Sequence, residues 1–131
     1  MGKPGIKAAR FEEMSANTSA PDFAEQVLNA FKVELHRSRN PESAYRDSVP
    51  LSYRKRFGQF FTPEPIAELM AHWIKGANPR SILDPAVGTG ILARAAAKQC
   101  PDAQVKCIDI DSIALEAAKG AASTHAEFIQ S

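Results

Sequence analysis

The chain has 131 residues, of which 44% are hydrophobic and 24% charged, and its formal net charge is +1. These values predict an ordinary globular domain with its own core, and the overall charge indicates nothing about nucleic acid. No apolar run is long enough to cross a bilayer, no secretion signal is recognisable in the first ten residues, and the two cysteines form neither a disulfide framework nor a metal cluster. We therefore expect a reduced, cytoplasmic setting with no membrane partner and no metal.

The N-terminal part of the chain predicts a tail followed by a helical extension. Residues 1–19 are polar, with Gly2, Pro4 and Gly5 followed by Ser, Asn and Thr, which favours a flexible tail. A helix is expected to run to about Arg37, because apolar residues recur there at spacings of three and four, namely Phe23, Val27, Leu28, Phe31 and Leu35. Residues 38–52 contain two X-Pro pairs and predict a connector or a loose helical turn. Together, residues 20–57 are interpreted as a helical extension with a basic linker.

The linker concentrates positive charge. From Lys32 to Arg56 there are seven basic residues and three acidic ones, a local net charge of +4. Its end, Tyr53 to Phe57, places three basic residues between two aromatic ones, which suits the backbone of a nucleic acid. A solvated basic loop whose aromatic residues pack in the core explains the same pattern. The segment is therefore a candidate DNA contact, with both interpretations open.

From residue 58 onward, helical and strand patterns alternate. The first helix of this part is expected to begin with Thr62 as N-cap and Pro63 at N1, and to end at Gly76. Its apolar stripe consists of Ile66, Leu69, Met70 and Trp73. Three strands follow, separated by two helices, and such alternation predicts a parallel sheet with right-handed crossovers. The fold class is therefore α/β, with about three parallel strands in residues 58–131.

The first strand runs into a glycine turn with acidic residues beside it. Gly88 and Gly90 begin a G-x-G-x-x-A pattern, and Asp109 follows 19 residues after Gly90 at the end of the next strand. This spacing is typical of an acidic residue that binds ribose hydroxyls. Asp84, at the mouth of the turn, would repel a phosphate and attract a cation, which favours S-adenosylmethionine over a dinucleotide. Two simpler interpretations stay open: the glycines make only a tight turn, and Asp84 only caps it.

Three segments resemble the amino, or N6-adenine, DNA methyltransferases. They are Gly58-Gln59-Phe60-Phe61-Thr62-Pro63, Asp84-Pro85-Ala86-Val87-Gly88-Thr89-Gly90 and Ile108-Asp109-Ile110-Asp111, in the order of the family's γ class. The resemblance implies a Rossmann-like methyltransferase fold, and residues 58–131 would be the N-terminal part of its cofactor-binding domain. The first fifty residues carry no motif of this family.

The resemblance also implies a set of S-adenosylmethionine contacts. Phe61 and Thr62 would hold the methionine end of the cofactor, with the threonine bonding its carboxylate. Asp84 would meet the α-ammonium group. The remaining contacts would come from Ala86 and Gly88, which let the backbone approach, from Asp109 on the ribose and from Ile110 on the adenine face.

The family's Asn/Asp-Pro-Pro-Tyr/Phe loop, which contacts the flipped-out adenine, is missing from this sequence. We therefore expect the cofactor-binding portion of a DNA adenine-N6 methyltransferase of the restriction–modification type, with no catalytic residue of its own and inactive alone. The first strand would lack a neighbour, which favours a homo-oligomer or a sheet completed in trans. The alternatives are a methyltransferase for RNA or a protein glutamine, and a non-catalytic module that binds DNA or a partner.

Overall fold

The computed structural model describes residues 25–30, 32–33, 40–120 and 125–131. The chain forms two compact units, Met1–Gln59 and Phe60–Ser131. The predicted tail lies outside the described residues, as do parts of the first predicted helix. Within that helix, residues 25–30 and 32–33 are helical, and Val27 is fully buried as its apolar stripe predicts.

The first unit contains a helix where we expected a connector or a loose turn. Helix α1 spans Pro41–Ser48, and Asn40 caps it by accepting a hydrogen bond from the Ser43 N–H at 3.0 Å. The Asn-Pro pair thus begins a helix, because Asn is a good N-cap and Pro at N1 lacks only an N–H that would be unbonded in any case. Tyr45 anchors α1: its ring is fully buried, and its hydroxyl donates to Gln59 Oε1 at 2.6 Å.

Helix α2, Leu51–Arg56, carries the basic and aromatic segment. The segment is therefore helical. Our alternative interpretation of it as a solvated basic loop was wrong in this respect. The rings of Tyr53 and Phe57 lie with centroids 4.9 Å apart, and both residues are half-buried. Lys55 and Arg56 are exposed.

The second unit is a three-stranded parallel sheet with helices between its strands. Its elements in chain order are α3 (Glu64–Lys75), β1 (Ser81–Asp84), α4 (Ile91–Gln99), β2 (Gln104–Asp109), α5 (Ser112–Gly120) and β3 (Ala126–Gln130). The sheet order is β1-β2-β3, and both strand pairs are parallel. This confirms the predicted α/β class and the three strands of a Rossmann-like fold.

The core of this unit lies between one face of the sheet and helices α4 and α5. It is formed by Val105 and Cys107 of β2, Val87 and Ala93 around α4, and Leu115 and Ala118 of α5. The neighbouring strands add Ile82 and Phe128 to the same face. The alternate residues lie on the opposite face, where Leu83 is 59% exposed and Lys106 forms an ion pair with Glu127 at 3.2 Å.

Helix α3 packs on α4 through a face that we did not predict. Its buried residues are Ala67 and Ala71, whereas the apolar stripe of Ile66, Leu69, Met70 and Trp73 is exposed, Trp73 by 84%. Two alanines one turn apart allow a neighbouring helix to approach closely, so the small residues make the contact and the large ones point away. None of the described helices is long and apolar enough to cross a membrane.

Candidate functional site

The glycine turn lies between β1 and α4, at the carboxyl ends of the strands. Gly88 and Gly90 have φ angles of 54° and 87°, a region that residues with a Cβ rarely adopt. The turn is bonded to β2, because the Val87 N–H donates to the Ile108 carbonyl at 2.9 Å. The Gly90 N–H closes the turn on the Val87 carbonyl at 2.9 Å.

The two glycines have different surroundings. A Cβ on Gly90 would lie 3.0 Å from the Cβ of Ala118, so the absence of a side chain there lets α4 approach α5. A Cβ on Gly88 would meet nothing within 4 Å. Gly88 therefore borders open space at the mouth of the turn, where a ligand has room to approach the backbone.

Asp109 joins the end of β2 to the glycine turn. One carboxylate oxygen accepts the Gly88 N–H at 2.7 Å, and the other accepts the Asp111 N–H at 2.9 Å. Asp111 in turn caps the start of α5, because its side chain accepts the Ile113 N–H at 3.0 Å. The acidic residue expected from sequence spacing thus contacts the glycine turn directly.

Asp84 faces the same region from the end of β1. Its carboxylate accepts the Ala86 N–H at 3.2 Å, the bond that the turn-capping interpretation requires. Burial raises the pKa of this carboxyl above its usual value, the Ala86 bond opposes the rise, and the charge of Asp109 adds to it. Turn capping accounts for one weak bond, whereas the raised pKa marks a carboxylate that a cationic ligand would stabilise.

Cys107 lies beneath this pair and carries no sequence motif. It is the register partner of Asp84 and is fully buried. Burial, together with the nearby charge of Asp84, raises the pKa of its thiol to about 11, so the side chain is neutral at pH 7. In the part of the chain that the structure describes, no group of three or more His, Cys, Asp or Glu residues is placed to hold a metal ion.

The remaining predicted residues are Ile110, Phe61 and Thr62. Ile110 follows β2 directly and is 60% exposed. Phe61 and Thr62 are half-buried in the segment that leads into α3, and α3 packs on α4. Thr62 is not the N-cap of α3: that position is held by Pro63, whose carbonyl accepts the Ile66 N–H at 3.0 Å.

Known proteins resemble parts of this chain. A type II methyltransferase of Acinetobacter calcoaceticus, M.AccI, is 42% identical over 79 residues, which cover 60% of this chain and 15% of that enzyme. The type II methyltransferase M.XamI of Xanthomonas campestris pv. amaranthicola is 37% identical over 67 residues, 50% of this chain and 13% of the enzyme. A tRNA1(Val) (adenine(37)-N6)-methyltransferase of Vibrio parahaemolyticus is 40% identical over 50 residues, 38% of this chain and 21% of that protein.

The family comparison covers one continuous part of the chain. The N-6 DNA methylase family model matches residues 51–121, more than half of the 131 residues. The matched range includes the segment before α3, the glycine turn with Asp84, and the end of β2 with Asp109. The family that the sequence motifs resemble is thereby confirmed: this chain belongs to the N-6 DNA methylase family.

Proposed function

We propose that this chain is the S-adenosylmethionine-binding portion of a DNA adenine-N6 methyltransferase of the restriction–modification type. Methyl transfer to adenine would be performed by a full-length enzyme, and this chain would be inactive alone. The observation that carries the proposal is the pair of carboxylates, Asp84 and Asp109, at the ends of adjacent strands on either side of a glycine turn.

The chemistry of the pair fits a cationic nucleoside. A half-buried carboxyl with a raised pKa and a second negative charge nearby is stabilised by a positive group, such as the α-ammonium of S-adenosylmethionine. The open space beside Gly88 leaves room for that ligand against the backbone. A pyrophosphate would instead add negative charge beside Asp84, which disfavours a dinucleotide-dependent oxidoreductase.

Asp109 suits the ribose even though both of its oxygens already accept a backbone N–H. Each carboxylate oxygen has two lone pairs, so the carboxylate can accept hydroxyl bonds in addition to those from Gly88 and Asp111. The exposed side chain of Ile110 follows directly and would supply an apolar surface for the adenine ring.

The segment before α3 would hold the other end of the ligand. Because Pro63 takes the N-cap position, the Thr62 side chain is not the cap of α3. Its hydroxyl, close to the positive end of a helix, suits the ligand's carboxylate, and the Phe61 backbone lies beside it. S-adenosylmethionine, when bound, supplies the transferable methyl group; the residues named here bind and orient it.

The acceptor side is absent from the sequence, which contains no Asn/Asp-Pro-Pro-Tyr/Phe tetrapeptide. The matched part of the chain spans 15% of M.AccI and 13% of M.XamI, two curated relatives. We therefore propose that it binds the methyl donor without transferring the methyl group.

Isothermal titration calorimetry tests the site. S-adenosylmethionine is titrated into the parent chain and into the Asp84→Ala and Asp109→Ala variants, with Asp102→Ala as the matched control because Asp102 is an exposed acid in the turn after α4. We expect binding by the parent and the control, and at least tenfold weaker binding by the other two variants. Equal heats for all four proteins would refute the site assignment, and no binding by the parent would leave family membership alone.

DNA is the proposed substrate of the full-length enzyme, and α2 is a weak candidate contact within this chain. The rings of Tyr53 and Phe57 pack on each other, so we propose that the exposed Lys55 and Arg56 contact phosphates while the aromatic rings do not stack on bases. Binding to DNA without cofactor, falling steeply between 50 and 200 mM salt, is the result that favours a non-catalytic DNA-binding module.

A methyltransferase for another substrate is the second candidate. The match to a tRNA adenine-N6 methyltransferase favours it, since a cofactor site does not distinguish RNA from DNA or from a protein glutamine. The order of the Gly58–Pro63 and Asp84–Gly90 segments, together with the family model, favours DNA.

We also propose that the outer edge of β1 pairs with a second copy of the chain. β1 is the terminal strand of the described sheet and bonds on its other side to β2. A terminal strand presents N–H and C=O groups to any strand that approaches, and the net charge of +1 produces little repulsion between copies.

A further inference from the structure

Arg94, on the first turn of α4, contacts the glycine turn. Its Nη1 donates a hydrogen bond to the Thr89 carbonyl at 2.8 Å. We propose that Arg94 is a positioning residue that holds the glycine turn in the shape that receives the cofactor. This inference rests on the proposed function and extends it to a residue outside the three sequence segments.

The position of the bond explains why it matters. Thr89 lies between two glycines with positive φ angles, and glycine imposes little resistance to rotation of the adjoining peptide planes. On the strand side, β2 holds the turn through the bonds of Val87 and Gly88. Arg94 provides a bond from the helix side, so the turn is held from both directions.

Arg94 is also placed to relate the turn to α3. It is half-buried and lines a cavity of about 210 Å³ between α3 and α4, opposite Glu64 and Glu68. Burial lowers the pKa of its guanidinium by removing hydration, and the bond to the Thr89 carbonyl compensates part of that loss. The same residue thus bonds to the turn and lines a cavity that the start of α3 also lines.

The contact requires a side chain that can donate a hydrogen bond to the Thr89 carbonyl. A single donor that reaches the Thr89 carbonyl is enough, so lysine should replace arginine in large part, whereas methionine fills the space without donating. Lys98, one turn further along α4, lines the same cavity and is exposed. Lys98→Met is therefore a matched control that removes a charge from the cavity and leaves the turn alone.

The experiment has two arms. In the first, hydrogen exchange of the Gly88 and Gly90 amides is followed by NMR in the ligand-free chain. In the second, affinities for S-adenosylmethionine and for the uncharged-sulfur product S-adenosylhomocysteine are measured. For Arg94→Met we expect about tenfold faster exchange and about tenfold weaker binding of both ligands, with Arg94→Lys within about threefold of the parent and Lys98→Met unchanged.

Several results would overturn the proposal. One is unchanged exchange in Arg94→Met, and another is a loss of affinity for S-adenosylmethionine alone, which would indicate a charge effect and not positioning. The proposal would also be overturned if the Gly88 and Gly90 amides exchanged as fast in Arg94→Lys as in Arg94→Met. If the parent binds neither ligand, the proposed function fails while the exchange arm still decides the role of Arg94. If Arg94→Met does not fold, Arg94→Gln takes its place, since its amide is too short to reach the carbonyl.

Discussion

Replacing Asp109 by alanine tests whether one carboxylate both stabilises the turn and binds the ligand. The substitution removes the acceptors of two backbone N–H groups, those of Gly88 at 2.7 Å and Asp111 at 2.9 Å. One of these groups belongs to the glycine turn and the other to the segment that starts α5. The substitution should therefore loosen two elements at once.

The expected loss follows from these bonds. A hydrogen bond to a charged group contributes about 1.5–3 kcal/mol, and water replaces part of it at a half-buried site, so we expect Asp109→Ala to lower the free energy of unfolding by about 2–4 kcal/mol. Asp109→Asn keeps one acceptor oxygen and should lose about half as much. Asp84→Ala removes a single bond of 3.2 Å and should lose less than about 1 kcal/mol.

Urea unfolding followed by far-UV circular dichroism measures these differences. Trp73 is the only tryptophan and is 84% exposed, so its fluorescence is a poor probe of unfolding. Asp102→Asn, at an exposed turn, is the control and should unfold with the parent. If Asp109→Ala and Asp84→Ala unfold at the same urea concentration, Asp109 does not hold the turn as its two bonds indicate.

Three further predictions concern the same unit. Because the folded state raises the pKa of Asp84, this group stabilises the fold most below its usual value of 3.8 and progressively less as the pH rises through the raised value. Asp84→Asn should therefore melt at or above the parent temperature at pH 7 while losing cofactor affinity, and thermal melts at pH 3 and 7 check the sign. Gly90→Ala should lose about 2–4 kcal/mol because its Cβ meets Ala118, and Gly88→Ala about 1 kcal/mol for the φ angle alone, as measured by urea unfolding. Sedimentation velocity from about 1 to 100 μM should show association that Leu83→Lys weakens and Trp73→Ser does not; a single monomeric species throughout contradicts pairing at the β1 edge.

Local chemistry made the order of elements in the second unit predictable. Pro85 cannot donate to a sheet ladder, which favours a strand end at Asp84, and β1 ends there. The glycine turn and the alternation of apolar patterns then required parallel strands with helical crossovers. Each of these signals acts over a few residues, and for that reason a single sequence is sufficient to read them.

Packing was less predictable. The periodicity of α3 correctly showed which residues share a face but not which face is buried. The buried contact is made by Ala67 and Ala71. Their hydropathy does not distinguish them, but their small side chains allow α4 to approach closely. Likewise, Asn40-Pro41 fits a turn and a helix start equally well, and the burial of Tyr45 one turn later favours the helix.

Spacing located Asp109 but did not show that both of its oxygens are bonded to the backbone. The free lone pairs on those oxygens mean that ribose hydroxyls would add to the existing bonds without breaking them. The turn is therefore ordered before the ligand binds, so the binding free energy is not reduced by the cost of ordering it. It follows that mutation of Asp109 affects stability and affinity together, whereas mutation of Asp84, whose charge is unfavourable in the ligand-free fold, should separate them.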